Sequence, residues 1–151
     1  MREIATDIRI AVINAITPLT LSGVTLPVYD TELPPTINPA NYVNSDAYVL
    51  ITDQNETETT NNDCTIRQNA TFQINIVTKF PQGSGGKILS ENISNAIQVK
   101  MNLTDIVLPI DLQAINIRKN FSRVQIEQGS SQIAYQKILS YTLDISLCLD
   151  N

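Results

Sequence analysis

From Cys64 to Phe80 the chain alternates between apolar and polar residues, with Gln68, Val77 and Thr78 as exceptions. The even positions read Cys, Ile, Gln, Ala, Phe, Ile, Ile, Thr and Phe, and the odd ones Thr, Arg, Asn, Thr, Gln, Asn, Val and Lys. A two-residue period held this long fits only a long antiparallel strand with one face on a core and the other wet. A strand of that length needs partners of similar length. The odd positions Ile133, Tyr135, Leu139, Tyr141, Leu143, Ile145, Leu147 and Leu149 supply one, with Lys137 as the single charged exception. Residues 115–127 supply another: Ile115 and Ile117 share a phase with Phe121, while Val124 and Ile126 have slipped by one, which predicts a bulge near Asn120–Arg123. Gln128-Gly129-Ser130-Ser131 joins these two strands as a hairpin.

Two helical periods flank this β framework. Ile4, Ile8, Ala11, Val12, Ala15 and Ile16 recur at three- and four-residue steps over 2–16, ended by Pro18. Over 87–101 the apolar side is Ile88, Leu89, Ile93, Ala96, Ile97 and Met101. A short strand is expected around Leu26, Val28 and Tyr29, and a buried one at Ala47–Thr52. Residues 30–45, with three prolines, read as a long surface loop, and 53–63 as a polar loop. Residues 102–114 fit neither period. The fold class is therefore α+β: an antiparallel, sandwich-like sheet with an N-terminal helix and a second helix packed on it. At 151 residues with no linker or repeat, 1–151 reads as a single domain.

Composition removes most chemistry. The chain has no histidine and no tryptophan, so the usual general base, histidine-based triads and nearly all zinc and haem sites are excluded. No metal or cofactor is implied. Cys64, on the apolar face of its strand, reads as a small core residue. Cys148 falls on the opposite phase of the last strand, so no disulfide is expected between them. Pro81-Gln-Gly-Ser-Gly-Gly-Lys87-Ile88 resembles a phosphate loop, but it has proline where the first glycine should be and isoleucine where the magnesium-binding hydroxyl should be. Its glycines read instead as a turn from strand into helix. Asp53-x-Asn55-x-Thr57 resembles the start of a calcium loop, but Glu58 stands at the glycine position. A carboxylate-only enzyme would want an aromatic-lined cleft, and 5% of the chain is aromatic. The expectation is a protein without catalytic activity.

Charge points to association. Ten basic against fifteen acidic residues give −5, which disfavours non-specific binding to nucleic acid or anionic membrane. No apolar run is long enough to span a bilayer, and the N-terminus lacks a signal-peptide core, so the chain is expected to fold in a cytoplasm. Asp53, Glu56, Glu58 and Asp63 cluster without a basic neighbour, whereas Arg118, Lys119 and Arg123 form a short basic patch. For the basic patch two readings stand: edge charges that discourage aggregation, or a docking surface for an acidic segment of a neighbour. The acidic segment is a subunit contact, a lining of a central opening, or merely solvated.

Two stretches, taken with the element order, resemble a known family. An amphipathic helix leads to Pro27-Val28-Tyr29-Asp30, a proline-bearing loop and Tyr48-Val49-Leu50-Ile51; a polar loop, a long alternating strand, a helix and a terminal hairpin follow. This order is similar to the tail-terminator, or tail-completion, proteins of tailed bacteriophages and their neck-protein relatives. The resemblance implies an α+β sandwich and a structural, non-enzymatic subunit. It further implies a homo-oligomeric ring of six or twelve copies at the head–tail junction of a virion assembled in the host cytoplasm. Portal, connector or tail proteins would lie above and below, and DNA would pass through without sequence-specific binding and without a membrane. The longer 30–45 loop and the extended 102–114 connection depart from the family pattern and leave the position in the neck open. The alternative from another class is a small cytoplasmic adaptor or binding module.

Overall fold

A computed structural model of the chain describes residues 4–30, 39–42, 45–61, 65–83 and 85–148. Four strands of 17 residues each form the body of one sheet: β5 (Ser45–Asn61), β6 (Thr65–Pro81), β7 (Leu112–Gln128) and β8 (Gln132–Cys148). Their order is β5-β6-β8-β7, all antiparallel. Two short strands share the outer edge of β5 near its start. β3 (Val28–Tyr29) runs parallel to Val49–Leu50, and β4 (Ala40–Tyr42) runs antiparallel to Ser45–Ala47. β1 (Leu19–Leu21) and β2 (Val24–Leu26) form a separate hairpin. Both helices, α1 (Ala5–Ile16) and α2 (Lys87–Lys100), pack on one face of the sheet, α1 over β5 and α2 over β6 and β8.

The alternation of β6 and β8 sets the core. Ala70, Phe72, Ile74 and Ile76 of β6 are buried on the helix side together with Leu139, Tyr141, Leu143, Ile145 and Leu147 of β8. Phe72 stacks on Tyr141 with ring centroids 5.9 Å apart. Burial pushes the Tyr141 hydroxyl up to about 12. Lys137 occupies a core-facing position because its ammonium reaches Glu91 of α2 at 2.6 Å. That contact accounts for the one charged residue in an otherwise apolar stripe. Among the described residues the opposite face carries no helix; it is lined by Thr71, Gln73, Asn75, Gln136, Ser140 and Thr142, with Val77 and Ile138 buried among them.

Several expectations are corrected. Residues 53–61 are not a loop: they continue β5 and pair with β6 through Asn61, with register shifts between Thr52 and Asn55 and between Glu58 and Thr60. Pairing with β6 holds this polar stretch extended, although it has no apolar alternation of its own. The expected 30–45 loop contains β4 and the first residue of β5; 31–38 and 43–44 lie outside the described residues. Ile88 is not on the buried side of α2 but 78% exposed; the buried stripe runs Ser90, Ile93, Ser94 and Ile97. The bulge expected near Asn120 is present between Lys119 and Phe121, and a second lies between Ala114 and Asn116. These two bulges split the group that seemed to share a phase. Ile117 pairs with Leu143 on the helix side, Phe121 pairs with Ser140 on the open face, and Ile115 sits in the second bulge.

The connection over 102–111 is organised by Asn102. Its amide donates to the Val99 carbonyl (2.9 Å), closing the end of α2, while its Oδ1 accepts from the Thr104 and Asp105 amides (2.9 and 2.8 Å). The glycine-rich turn has two separate roles. Gly83 adopts φ +84, where a side chain is strained, and a Cβ on Gly86 would meet the Phe80 ring at 2.1 Å. Gly86 thus lets α2 start directly against the end of β6.

Candidate functional site: the two edges of the sheet

The charged clusters read from the sequence sit on opposite edges of the same sheet. Asp53, Glu56 and Glu58 belong to β5, and Arg118, Lys119 and Arg123 belong to β7. Asp63 and Cys64 lie outside the described residues. The structure does not bring the two clusters together within one chain, because β6 and β8 stand between them. An acidic β5 (four acids, no bases) and a basic β7 (three bases, one acid) leave the sheet with edges of opposite sign.

On β7 each basic side chain has a local partner. Arg118 donates to Asp144 on β8 at 2.9 Å, Lys119 donates to Gln98 on α2 at 3.1 Å, and the Arg123 guanidinium lies 5.6 Å from the Phe121 ring centroid. Arg118 and Arg123 face the open side and Lys119 the helix side. Asn120, the bulged residue, donates to Ser140 (3.2 Å) and Thr142 (2.8 Å), which fixes the bulge to β8. Beyond it β7 has little cover. Phe121 (40%), Val124 (42%) and Ile126 (50%) are exposed, a density of apolar surface that is unusual on a long outer strand.

On β5 a residue that the sequence reading passed over holds the edge in place. Arg9 of α1 donates to the Ile51 carbonyl at 2.8 Å and to Gln54 at 3.2 Å, and it forms an ion pair with Asp30. Gln54 in turn donates to the Ala5 carbonyl at 2.9 Å. The helix start is thereby tied to the first β5 bulge. The signal available in the sequence was an arginine at the border of an apolar helical stripe. Glu56 and Glu58 pair in register with Ala70 and Gln68, which puts both on the helix side of the sheet. Because 53–61 is extended strand, it does not form the turning loop that a calcium-binding loop needs, in keeping with Glu58 at the glycine position.

At the far end of the open face, Lys79 lies 5.9 Å from the Tyr48 ring centroid, and Tyr29 meets Tyr48 edge-on at 6.3 Å. Burial, then the Glu127 carboxylate and Tyr29, push the Tyr48 hydroxyl above its usual value. The two hollows nearby, one lined by Tyr42, Asp46, Lys79 and Gln132 and one by Lys79, Glu127 and Ser131, are open at the surface. Among the described residues no cluster of histidine, cysteine or carboxylates is arranged to hold a metal, and no helix is long and apolar enough to cross a membrane.

The architecture is an α+β sheet with two helices on one face and edges of opposite charge. A chain in the structure titled "Virion of native gene transfer agent (GTA) particle" is similar to it, with a TM-score of 0.65 and 11% identity, covering 95% of this chain and 99% of that one. At that identity the likeness is one of fold. No protein-family model and no curated protein matches the sequence.

Proposed function

We propose that this chain is a structural, non-enzymatic component of a phage-like virion, a ring-forming subunit at the junction of head and tail. The observation that carries the reading is the near end-to-end fold correspondence with a chain of a virion particle, over 95% of this chain and 99% of that one. Two independent features support it. The element order is similar to that of tail-terminator proteins, and the oppositely charged sheet edges suit the heterologous contact that every ring requires. In this reading the partners are further copies of the chain and the portal, connector or tail proteins on either side, with DNA passing through the opening.

Mass measurement by light scattering, with electron microscopy of the same sample, tests it. A closed ring of six or twelve copies is expected. A monomer or simple dimer at tens of micromolar, with no closed particle, would overturn the ring and return the adaptor reading.

A further inference from the structure

The registers across the sheet set parts of its two edges level with each other. Four rows make the point: Thr52–Gln73–Ser140–Phe121, Asn55–Thr71–Thr142–Arg118, Glu56–Ala70–Leu143–Ile117 and Asn61–Ile66–Leu147–Leu112. Ile51–Asn61 of β5 is therefore level with Leu112–Ser122 of β7. The remainder of each edge is level too, but there β3 and β4 already cover β5 at Ser45–Leu50. Among the described residues no strand pairs with the outer edge of β5 from Ile51 to Asn61, nor with the outer edge of β7.

We infer that copies of this chain join head to tail by strand pairing, with Leu112–Ser122 of β7 in one copy laid antiparallel against Ile51–Asn61 of β5 in the next, so that one sheet runs on through the assembly. The inference rests on the ring reading above and names the surfaces that close it. Direction agrees, since β5 and β7 are antiparallel within one copy and the alternation continues when a second β5 follows β7.

Charge agrees as well. Lys119 is level with the Asp53–Gln54 bulge and on the helix side, as Glu56 and Glu58 are, and Arg118 is level with Asn55 on the open side, so a basic segment of one copy lies beside the acidic segment of the next. Pairing β7 with β7, or β5 with β5, would instead set like charges opposite one another.

The bulges agree too. Bulges usually blunt an exposed edge against pairing. Here each edge has two, and they sit on matching rows. The β7 bulge at Asn120 and the β5 bulge at Asp53–Gln54 both fall beside Phe72, and those at Ile115 and between Glu58 and Thr60 both fall beside Gln68. With the bulges on matching rows, the two edges keep step with each other along the proposed contact.

Cysteine cross-linking tests the pairing. Thr57 and Asn116 are exposed and occupy one row, through Asn69 and Asp144. Within one copy they are three strand spacings apart, about 14 Å, beyond the roughly 7 Å limit for a disulfide. In a background with Cys64 and Cys148 replaced by serine, Thr57→Cys together with Asn116→Cys should give a ladder of covalent oligomers under mild oxidation. Neither single variant should cross-link, nor should Thr57→Cys with Gln125→Cys, because Gln125 is level with the covered part of β5. Dimers from Asn116→Cys alone would show β7 pairing with itself and overturn the inference. An intact ring by mass with no ladder from the matched pair would overturn the inference and spare the ring. Monomer by mass with no ladder would overturn both.

Discussion

β8 and β7 have the same length and are hydrogen-bonded to each other along it, yet they differ in almost everything else. On β8 every odd residue from Tyr135 to Leu147 is buried; on β7 only Leu112 is buried. The difference follows from position. β8 has a strand on each side and α2 packed against it, whereas β7, among the described residues, has a strand on one side only. Burial can fix the fold through β6 and β8 alone. On β7 the basic residues make contacts within the chain, while Phe121, Val124 and Ile126 are left exposed in the isolated fold. The central pair thus encodes the fold, and the proposed association falls to the outer strand.

Core truncations give the largest contrast. Leu143→Ala or Phe72→Ala removes a side chain that is at most 1% exposed and should lower stability by about 3–5 kcal/mol in denaturant unfolding. Val124→Ala or Ile126→Ala on β7 should cost less than about 1 kcal/mol in the dissociated chain. Equal losses at the two places would break the comparison.

Tyr141 gives a pH-dependent effect of intermediate size. Its folded pKa lies above the unfolded value, so folding stabilises the protonated hydroxyl. That stabilisation is complete below about pH 10 and is lost as pH rises through about 12. A shift of this size corresponds to roughly 2–3 kcal/mol. Unfolding measured from pH 9 to 12 should fall less steeply with pH in Tyr141→Phe than in the parent.

Lys137 and Glu91 should respond unequally. Glu91→Ala leaves the nearly buried Lys137 ammonium without its partner and should cost about 1–2 kcal/mol, discounted because Glu91 is itself half exposed. Lys137→Met replaces the charge with apolar bulk on a core-facing position and should be close to neutral.

The smallest expected effect lies at the acidic edge. Glu56→Lys with Glu58→Lys should leave the folded chain intact while weakening association at low salt, and less so at high salt, where screening already reduces the attraction. Sedimentation at two ionic strengths would show this.

The central strands were legible because their burial is written as a two-residue period. Even Lys137, the one break in that period, marked a real contact. The distal half of β5 was not legible: Asn55-Glu56-Thr57-Glu58 has no apolar residue, and its extended form comes from β6 beside it. The β1–β2 hairpin was overlooked, although Ser22-Gly23 between short apolar pieces is a two-residue turn signal, and both residues have positive φ. Ile88 misled because a helical period gives the phase of a stripe but not where its cover ends. For the edges, the two charge clusters could be read directly. Their standing on the same rows depends on three registers and four bulges, which no local pattern contains.

Amide hydrogen exchange across the assembly transition tests the central claim most directly. Comparing the protein well above and well below the concentration at which it associates, exchange in Leu112–Ser122 and Ile51–Asn61 should slow in the assembled sample. Amides of β6 and β8 should stay protected in both. Exchange in both edge segments that is fast and independent of concentration, in a sample shown to be assembled, would contradict the account.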